Sequence, residues 1–490
     1  MDAERLKKLK EIEKKGIFPY QETSFEVTHH SKEILDDFAK LENKEVSIAG
    51  RIMSIRKHGK LSFAHLQDEQ GKVQLYIKSD ELGASYSLFE ENFIDFGDII
   101  GVKGVVTKTL RGEISVLVKS ITILTKALNQ WPEKYHGLKD VELRYRQRYL
   151  DLIFNPEVKE TFVKRSKIME AIRVFMTERG FLEVETPILQ PIYGGAEAKP
   201  FTTYHNELKM NLFLRIAPEL YLKRLLVGGF EKVFELGKNF RNEGIDTRHN
   251  PEYDSLEVYW AYHTGEDMMR LTEEMIVACA EEVLGHTKVT YENTELDLTP
   301  PFQRISMVDA VEKYGGFKIK GKTFAQLKEI AKEKNIKIEK HMEEGAIIAL
   351  LFDEFAEKKL IQPTFVVEYP VEISPLAKRK KEQPQFADRF ELFIYGREVA
   401  NGFSELNDPI DQKKRFEEQI KKRKLGFEEA QVMDEDFVNA LEYGMPPAGG
   451  LGIGTDRLIM FLTNASSIRD VILFPTLKKQ EEEKAPKEKK

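Results

Sequence analysis

The sequence predicts an α+β protein: a small closed β-barrel near the N-terminus, then a larger domain built on an antiparallel sheet flanked by helices. Three observations lead there. The chain has 490 residues, which suggests two or three domains rather than one. Residues 44–124 carry short β-rich runs separated by Gly, Asp or Asn. Beyond about residue 150, strand-like runs are joined by hairpins and long helical excursions without regular βαβ alternation.

Residues 1–43 form a lead-in, in which Leu6, Leu9 and Ile12 recur at helical spacing among Lys and Glu until Gly16 and Pro19 end the pattern. Over 44–125 the runs "EVSIAGRIMSI", "KLSFAHLQDEQGKVQLYIK", "DIIGVKGVVTKT" and "EISVLVKSITIL" supply five strands. Five strands in so short a span suit a closed barrel of the oligonucleotide-binding type. Residues 126–149, with Trp131-Pro132 and then Arg144, Arg146 and Arg148, read as a linker entering a helix.

The main domain spans 150–476. A helix over 158–179 stops at Gly180, and "FLEVETPIL" then reads as an edge strand or pairing surface. Further strands are expected at 212–216, 232–237, 254–262, 365–369, 388–395 and 398–405. Residues 265–350 read mostly helical and predict an insertion with its own packing. The tail 477–490, "KKQEEEKAPKEKK" for the most part, cannot bury anything and is expected to be disordered.

Composition excludes several classes. One cysteine, Cys279, rules out an internal disulfide framework and a Cys-based zinc site. No apolar run approaches the ~20 residues of a membrane span. The N-terminus lacks the apolar core of a secretion signal, so a soluble cytoplasmic protein is expected. A net charge of −7 leaves any nucleic-acid partner to a local basic surface.

Three constellations carry chemistry. In "FRNEGIDTRHNPEYDSLEVYW" (240–260), a strand over 254–260 puts Leu256, Val258 and Trp260 on one face and Ser255, Glu257 and Tyr259 on the other. Arg241 and Glu243 point the same way if the backbone there is extended, and Arg248 and His249 occupy a loop tip. In "AGGLGIGTDRLIMFL" (448–462), a Gly-rich turn precedes an apolar helix whose first turn carries Arg457, an arrangement that admits an anion. In "RFELFIYGREVANGFSELND" (389–408), a turn at Tyr395-Gly396 sets Phe393 opposite Glu398, so Glu391 and Glu398 become diagonal neighbours. Two such carboxylates repel unless a cation lies between them, and Mg²⁺ at nucleotide phosphates uses one or two carboxylates. Asn401, Phe403 and Glu405 alternate onto one face. Each motif taken alone is also compatible with a salt-bridged hairpin or a tight connection.

Together, "GFLEVETPIL", "FRNEG…RHNPEYDSLEVYW" and "GLGIGTDRL" resemble, in order, the three signature motifs of class II aminoacyl-tRNA synthetases. "APELYLKRL" (217–225), "GGAEAKPF" (194–201) and "NGFSELND" (401–408) resemble the lysyl group of that family in particular. The resemblance covers about 20–476, and Ile192-Tyr193 departs from its proline-bearing version. It implies an OB-fold anticodon-binding barrel, a class II catalytic domain and a homodimer with "FLEVETPIL" at the interface. It implies activation of L-lysine by ATP with Mg²⁺, followed by transfer to tRNA(Lys).

The residue roles are likewise implications of the resemblance. Arg241 and Arg457 are the catalytic candidates. ATP falls to Arg241, Glu243, Arg248, His249, Asn250, Tyr253, Gly452, Gly454 and Arg457. Lysine falls to Gly195, Glu219, Arg241, Glu257, Tyr259, Asn401, Phe403 and Glu405, with Glu405 and Tyr259 on the ε-ammonium and Glu219 on the α-amine. Glu391 and Glu398 would carry Mg²⁺. Arg51, Phe63 and Gln74 would meet the anticodon, Phe63 by stacking. Two rival readings remain at this point: a lysine ligase acting on a protein acceptor, and a non-catalytic tRNA-binding regulator. The barrel argues against the first, and the presence of Arg241, Arg457, Glu391 and Glu398 argues against the second.

Overall fold

The computed structural model describes residues 1–131 and 138–479. Residues 132–137 of the expected linker and 480–490 of the expected tail lie outside that description. The chain divides into two compact units, Met1–Gly137 and Leu138–Lys490.

In the first unit, strands β1 (Glu45–His58), β2 (Leu61–Gln67), β3 (Lys72–Lys78), β4 (Ile99–Lys108) and β5 (Ile114–Thr125) close a barrel in the order β1-β2-β3-β5-β4. Closure is possible because the long β1 pairs with β2 along one half and β4 along the other, while β3 and β5 pair in parallel. Along β2 the alternation is strict. Ser62, Ala64 and Leu66 are buried, whereas Phe63, His65 and Gln67 face outward. The helix Ala3–Lys14 starts where Asp2 caps Arg5 N–H at 3.0 Å, and it buries Leu9 and Ile12 in the barrel core.

Lys126, fully buried, donates to Asp98 at 2.5 Å, to Asp95 at 2.8 Å and to the Phe93 carbonyl at 2.5 Å. Burial pushes the Asp98 carboxyl up, and Lys126 is the cation that opposes this.

In the second unit, short strands come first: β6 (Leu182–Glu183), β7 (Leu189–Gln190), β8 (Thr202–His205) and β9 (Met210–Leu214). They are followed by β10 (Lys232–Phe240), β11 (Glu252–Ala261), β12 (Lys288–Tyr291), β13 (Thr294–Asp297) and β14 (Gln303–Ser306). The last four are β15 (Thr364–Val367), β16 (Arg389–Ile394), β17 (Arg397–Ser404) and β18 (Ala448–Gly454). Eight of these form one sheet in the order β14-β15-β16-β17-β18-β11-β10-β6. It is antiparallel through its middle, with a parallel pair at each edge.

One face of this sheet is apolar. Leu236, Leu256, Val258, Leu392, Leu451 and Ile453 pack there against the helices Pro156–Glu178, Gly265–Leu284 and Thr455–Thr463. The other face carries the cavity described below.

Three expectations need correction. "AGGLGIG" is not a turn but the central strand β18, hydrogen-bonded to β11 and β17 on its two sides. Its glycines let the neighbouring side chains close over it. The stretch 265–350 does not pack as one insertion. Gly265–Leu284 is an amphipathic helix whose apolar side belongs to the main core, and only the helices from Met307 to Phe355 form a cluster of their own. "FLEVETPIL" splits between two sheets, β6 at the edge of the large one and β7 in a three-stranded one with β8 and β9. Thr186-Pro187 interrupts the ladder between them. Among the described residues no helix is long and apolar enough to cross a membrane.

Lys126→Met strands Asp98 in the barrel without its cation, and should lower stability by about 3–5 kcal/mol, read as an earlier urea midpoint. An unchanged midpoint would show that the buried pair contributes nothing net.

Candidate active site

The register of the large sheet draws the site as two rows. Glu235, Glu257, Gly452, Asn401 and Glu391 lie side by side across β10, β11, β18, β17 and β16. Val233, Tyr259, Gly450, Phe403 and Arg389 form the next row. Glycine in the middle of each row removes the side chain where the flanking ones would meet, so the sheet face is a trough. The alternation read from the sequence holds here, with Ser255, Glu257 and Tyr259 facing the trough and Leu256, Val258 and Trp260 turned to the core. A β-bulge between Leu392 and Phe393 keeps Phe393 opposite Glu398 but places Asn401 opposite Glu391.

The cavity over this face is about 360 Å³. All of Gly195, Glu219, Arg241, Glu243, Arg248, His249, Asn250, Tyr253, Glu257, Tyr259, Glu391, Glu398, Asn401, Phe403, Glu405, Gly452, Gly454 and Arg457 line it. The extended backbone expected at Arg241–Glu243 is absent. Glu243 N–H donates to the Arg241 carbonyl at 2.9 Å, a tight turn past the end of β10, yet both side chains still reach the cavity.

One end is acidic. Glu219 opens the helix Glu219–Val227, and Gly195, at φ +86°, lies so close that a Cβ there would meet Glu219 Cβ at 2.9 Å. Tyr259 O–H donates to Glu257 at 3.0 Å. Glu405 is fully buried, with Lys223 Nζ 2.5 Å from its Oε2 in an ion pair. A Cβ on Gly450 would lie 1.7 Å from Glu405 Oε1, so the glycine is what admits this carboxylate.

Burial pushes the Glu257 carboxyl up to about 8, with the Glu219 charge adding to it. The accessible surface of Glu257 faces the cavity, and its depth accounts for the shift. Burial also raises Glu405 to about 8, outweighing Lys223. Burial and the surrounding carboxylates hold the Tyr259 phenol well above its ordinary value, so it stays a donor. Glu235 differs from these groups. It is neutralised by Arg215 and accepts from Thr186 O–H at 2.7 Å.

The other end is basic. The Arg241 guanidinium lies 5.3 Å from the Tyr253 ring centre, and its buried Nε has no hydrogen-bond partner. In the loop, Asp246 accepts from Arg248 N–H at 2.6 Å and His249 N–H at 2.7 Å, which holds both side chains at the rim. Arg457 donates to the Glu398 carbonyl at 2.7 Å. The Asn250 amide donates to the Glu252 carbonyl at 2.5 Å and accepts from Thr476 N–H at 3.3 Å, so it braces the loop. Between the two ends, Glu391 accepts from Tyr369 O–H at 2.8 Å and from Arg389 at 2.5 Å. Burial raises the Glu391 carboxyl, and Glu398 adds to the shift.

The arrangement suits a ligand with ammonium groups at one end and phosphates at the other, with the Glu391 and Glu398 carboxylates between them, Glu391 paired with Arg389. Sequence reasoning missed Lys223, Arg389 and Asn239. Lys223 falls four residues after Glu219 on a helix and Arg389 two before Glu391 on a strand, so spacing offered those two local pairings but not the contact of Lys223 with Glu405. Asn239 donates to Ser255 Oγ at 2.6 Å with its Oδ1 unpartnered, and carried no comparable signal.

The barrel residues form a separate set. Phe63 stacks on Tyr76 with ring centres 5.3 Å apart and 6° between planes, and Arg51 and Gln74 share its outward face through their pairings with Gln67 and His65. Gln74 is more buried than expected, and its Oε1 accepts from Ser115 Oγ at 2.8 Å. Arg51 donates to the Gly97 carbonyl at 2.7 Å.

Comparison with known proteins places both units. Residues 140–478 match the model of class II tRNA synthetases (D, K and N), and 46–124 that of the OB-fold nucleic acid binding domain. The lysine–tRNA ligase of Carboxydothermus hydrogenoformans is 60% identical, over 97% of this chain and 97% of its own. That of Moorella thermoacetica is 58% identical over 98% of each chain, and that of Clostridium novyi 55% identical over 97% of this chain and 94% of its own.

Gly450→Ala should turn Glu405 out of the cavity and cost about 1–3 kcal/mol by overpacking. Urea unfolding and a crystal structure of the variant check this. An unshifted midpoint with Glu405 in place would contradict it.

Proposed function

The chain belongs to the class II tRNA synthetases (D, K and N), and we propose that within this family it ligates L-lysine to tRNA(Lys). The observation that carries the choice of amino acid is the set of three carboxylates, Glu405, Glu219 and Glu257, lining one end of the cavity with the Lys223 ammonium against two of them. An enzyme for aspartate or asparagine needs a cationic or amide group where this cavity is acidic. The names of the relatives point the same way.

The reaction runs in two steps. A carboxylate oxygen of lysine attacks the α-phosphorus of ATP, the bond to the β-phosphate oxygen breaks, and pyrophosphate leaves behind lysyl-adenylate. A ribose hydroxyl at the 3′ end of tRNA then attacks the acyl carbon and AMP departs. No side-chain nucleophile is required, so the protein's work is positioning and stabilisation of charge. Glu405 with Tyr259 receives the ε-ammonium, Glu219 and the Gly195 backbone the α-ammonium with Glu257 nearby, and Asn401 and Phe403 line the aliphatic stem. Arg241 holds the lysine carboxylate against the α-phosphate. Glu243 accepts from the adenine amino group, Tyr253 and Arg457 stack on its ring, Arg248 and His249 meet the outer phosphates, and Asn250, Gly452 and Gly454 shape the wall.

Glu391 and Glu398 are hard oxygen donors that line the same cavity, close enough for Glu398 to raise the Glu391 carboxyl, and they would hold Mg²⁺, with Glu391 sharing its oxygens with Tyr369 and Arg389. Among the described residues no cluster of three or more candidate ligands exists, which leaves the remaining positions to phosphate and water oxygens. When bound, the ion supplies neutralisation of phosphate charge.

A second copy of the chain covers the apolar segment where Leu182, Ile188, Leu189 and Ile192 are 38–50% exposed, giving a homodimer. Sedimentation at the mass of one copy would remove this part of the reading. The enzyme works in the cytoplasm, where its substrates are.

Amino-acid-dependent ATP–pyrophosphate exchange tests the whole. Lysine alone among the protein amino acids should support it, and exchange with aspartate or asparagine would overturn the roles of Glu219 and Glu405. Two finer outcomes follow. Below pH 8 the Glu257 and Glu405 carboxyls of the empty cavity hold protons that an ammonium must displace. The KM for lysine should therefore fall as pH rises from about 6 to about 8, by at most tenfold per proton and per pH unit, while the KM for ATP does not follow. A lysine KM that is flat across this range would count against the ionised-carboxylate reading. Phe63→Ala should raise the KM for tRNA about tenfold, the worth of one stacked base, and leave exchange untouched. An unaltered KM for tRNA would take Phe63 out of the interface.

A further inference from the structure

Lys223 is an ammonium buried behind the acidic end of the cavity, against two of the carboxylates that line it. Its side chain is fully buried, with Nζ 2.6 Å from Glu219 Oε1 and 2.5 Å from Glu405 Oε2. The Phe403 ring centre lies 5.4 Å from Nζ and that of Phe437 6.0 Å. Leu220, Leu222 and Leu226 anchor its helix in an apolar cluster, so the ammonium has one place to be. It touches the two carboxylates assigned above to different ends of the amino acid.

We propose that Lys223 is a positioning residue for amino-acid recognition: a resident counter-ion that leaves the acidic end at a net charge of −2 once its three carboxylates are ionised, matched to a substrate bearing two ammonium groups. The proposal rests on the lysine reading and adds a residue to it. The charge count uses the titratable groups that act on Glu219, Glu257 and Glu405, and Arg389 beside Phe403 is cancelled by Glu391. Glu219 comes from the same helix, Glu405 from the segment after β17, and Glu257 from β11, making three carboxylates against one ammonium. Glu235 on β10 is cancelled by Arg215. Tyr259 stays a neutral phenol, and Arg241 is matched by the carboxylate of the amino acid. Lysine brings two ammonium groups and closes the count. An amino acid with a neutral side chain leaves one carboxylate in the dark end without a cation, and that mismatch is a source of selectivity.

The ammonium also acts on the empty protein. Burial disfavours its charge, but Glu219 and Glu405 outweigh that and hold Lys223 protonated. In return it keeps Glu405 nearer to ionised than burial alone would leave it. Without it, more protons enter the empty site, and the incoming ε-ammonium has to expel them.

The test compares Lys223→Met, of similar length without charge, and Lys223→Arg with the wild type in the full-length enzyme. For Lys223→Met, the lysine KM in ATP–pyrophosphate exchange should rise about tenfold or more at pH 7, one power of ten for each unit by which the carboxyl pKa climbs. The pH at which the lysine KM levels off should move upward. The KM for ATP and the rate at saturating lysine should stay within about threefold, since the phosphate end is untouched. Calorimetry in buffers of different ionisation enthalpy should show more protons released per lysine bound than in the wild type. Lys223→Arg should recover most of the lysine KM.

A folded Lys223→Met enzyme with an unchanged lysine KM and pH profile overturns the proposal. So does a variant whose lysine and ATP constants worsen together with a lowered melting temperature, because that is a purely structural effect. Wild-type exchange with lysine alongside such a result confines the failure to Lys223. Absence of exchange with lysine in the wild type overturns the reading on which Lys223 depends, and the proposal with it.

Discussion

The cavity depends on a central strand without side chains over its middle. β18 hydrogen-bonds on both sides like any interior strand, yet at Gly450 and Gly452 it presents only backbone to the cavity. Two neighbouring strands can then lean their polar groups toward each other across it. The distance of 1.7 Å between a hypothetical Cβ at 450 and Glu405 Oε1 measures how little room is left. On the opposite face a Cβ on Gly449 would lie 2.9 Å from both Met268 Cγ and the Thr264 carbonyl, so the same strand lets a helix approach closely from the core side. Glycine weakens a strand because it adds entropy to the unfolded chain and packs nothing. β18 tolerates this because it lies between long, well-registered partners.

Given the trough, electrostatics divides it. Carboxylates gather at one end and cationic groups at the other, with Arg241 buried and Arg248 and His249 at the rim. The separation follows from solvation. An isolated buried carboxylate is driven to take a proton, so the acidic end tolerates charge only through Lys223 and through the ammonium groups of a ligand. At the rim, water and phosphate can both satisfy an arginine, and Arg248 and His249 need no buried partner there. The two ends therefore differ in the charge of the group each can accept.

At the floor of the cavity lies a network of charged groups, with Asp254 and Asp456 among its lining residues. Arg165, on the helix Pro156–Glu178, donates to Asp456 at 2.6 Å and pairs with Asp254. Asp254 N–H in turn donates to Asp456 at 2.8 Å. These contacts tie three segments far apart in sequence, including the residue before Arg457 and the residue after Tyr253. Positions assigned here to the two faces of the adenine ring are thus held by a shared set of buried charge-assisted hydrogen bonds.

What the sequence determined by itself was everything with a period or a local signature. Short β-rich runs separated by Gly, Asp or Asn marked the five barrel strands, and two-residue alternation split Leu256, Val258 and Trp260 from Ser255, Glu257 and Tyr259. Three ordered motifs were enough to indicate the family, and the glutamates of "APELYLK" and "FSEL" already made the pocket acidic on paper. Local spacing could not decide what depends on partners hundreds of residues away. Whether "AGGLGIG" turns or extends rests on the hydrogen bonds offered by β11 and β17, which only the assembled sheet supplies. The bulge that sets Asn401 opposite Glu391 is a property of two strands in register. Lys223 reads as one more surface lysine of an amphipathic helix until the fold brings Glu405 against it. A residue's type is local, whereas its solvation and its counter-ions are tertiary, and in this protein those two quantities separate a charged surface from a binding site.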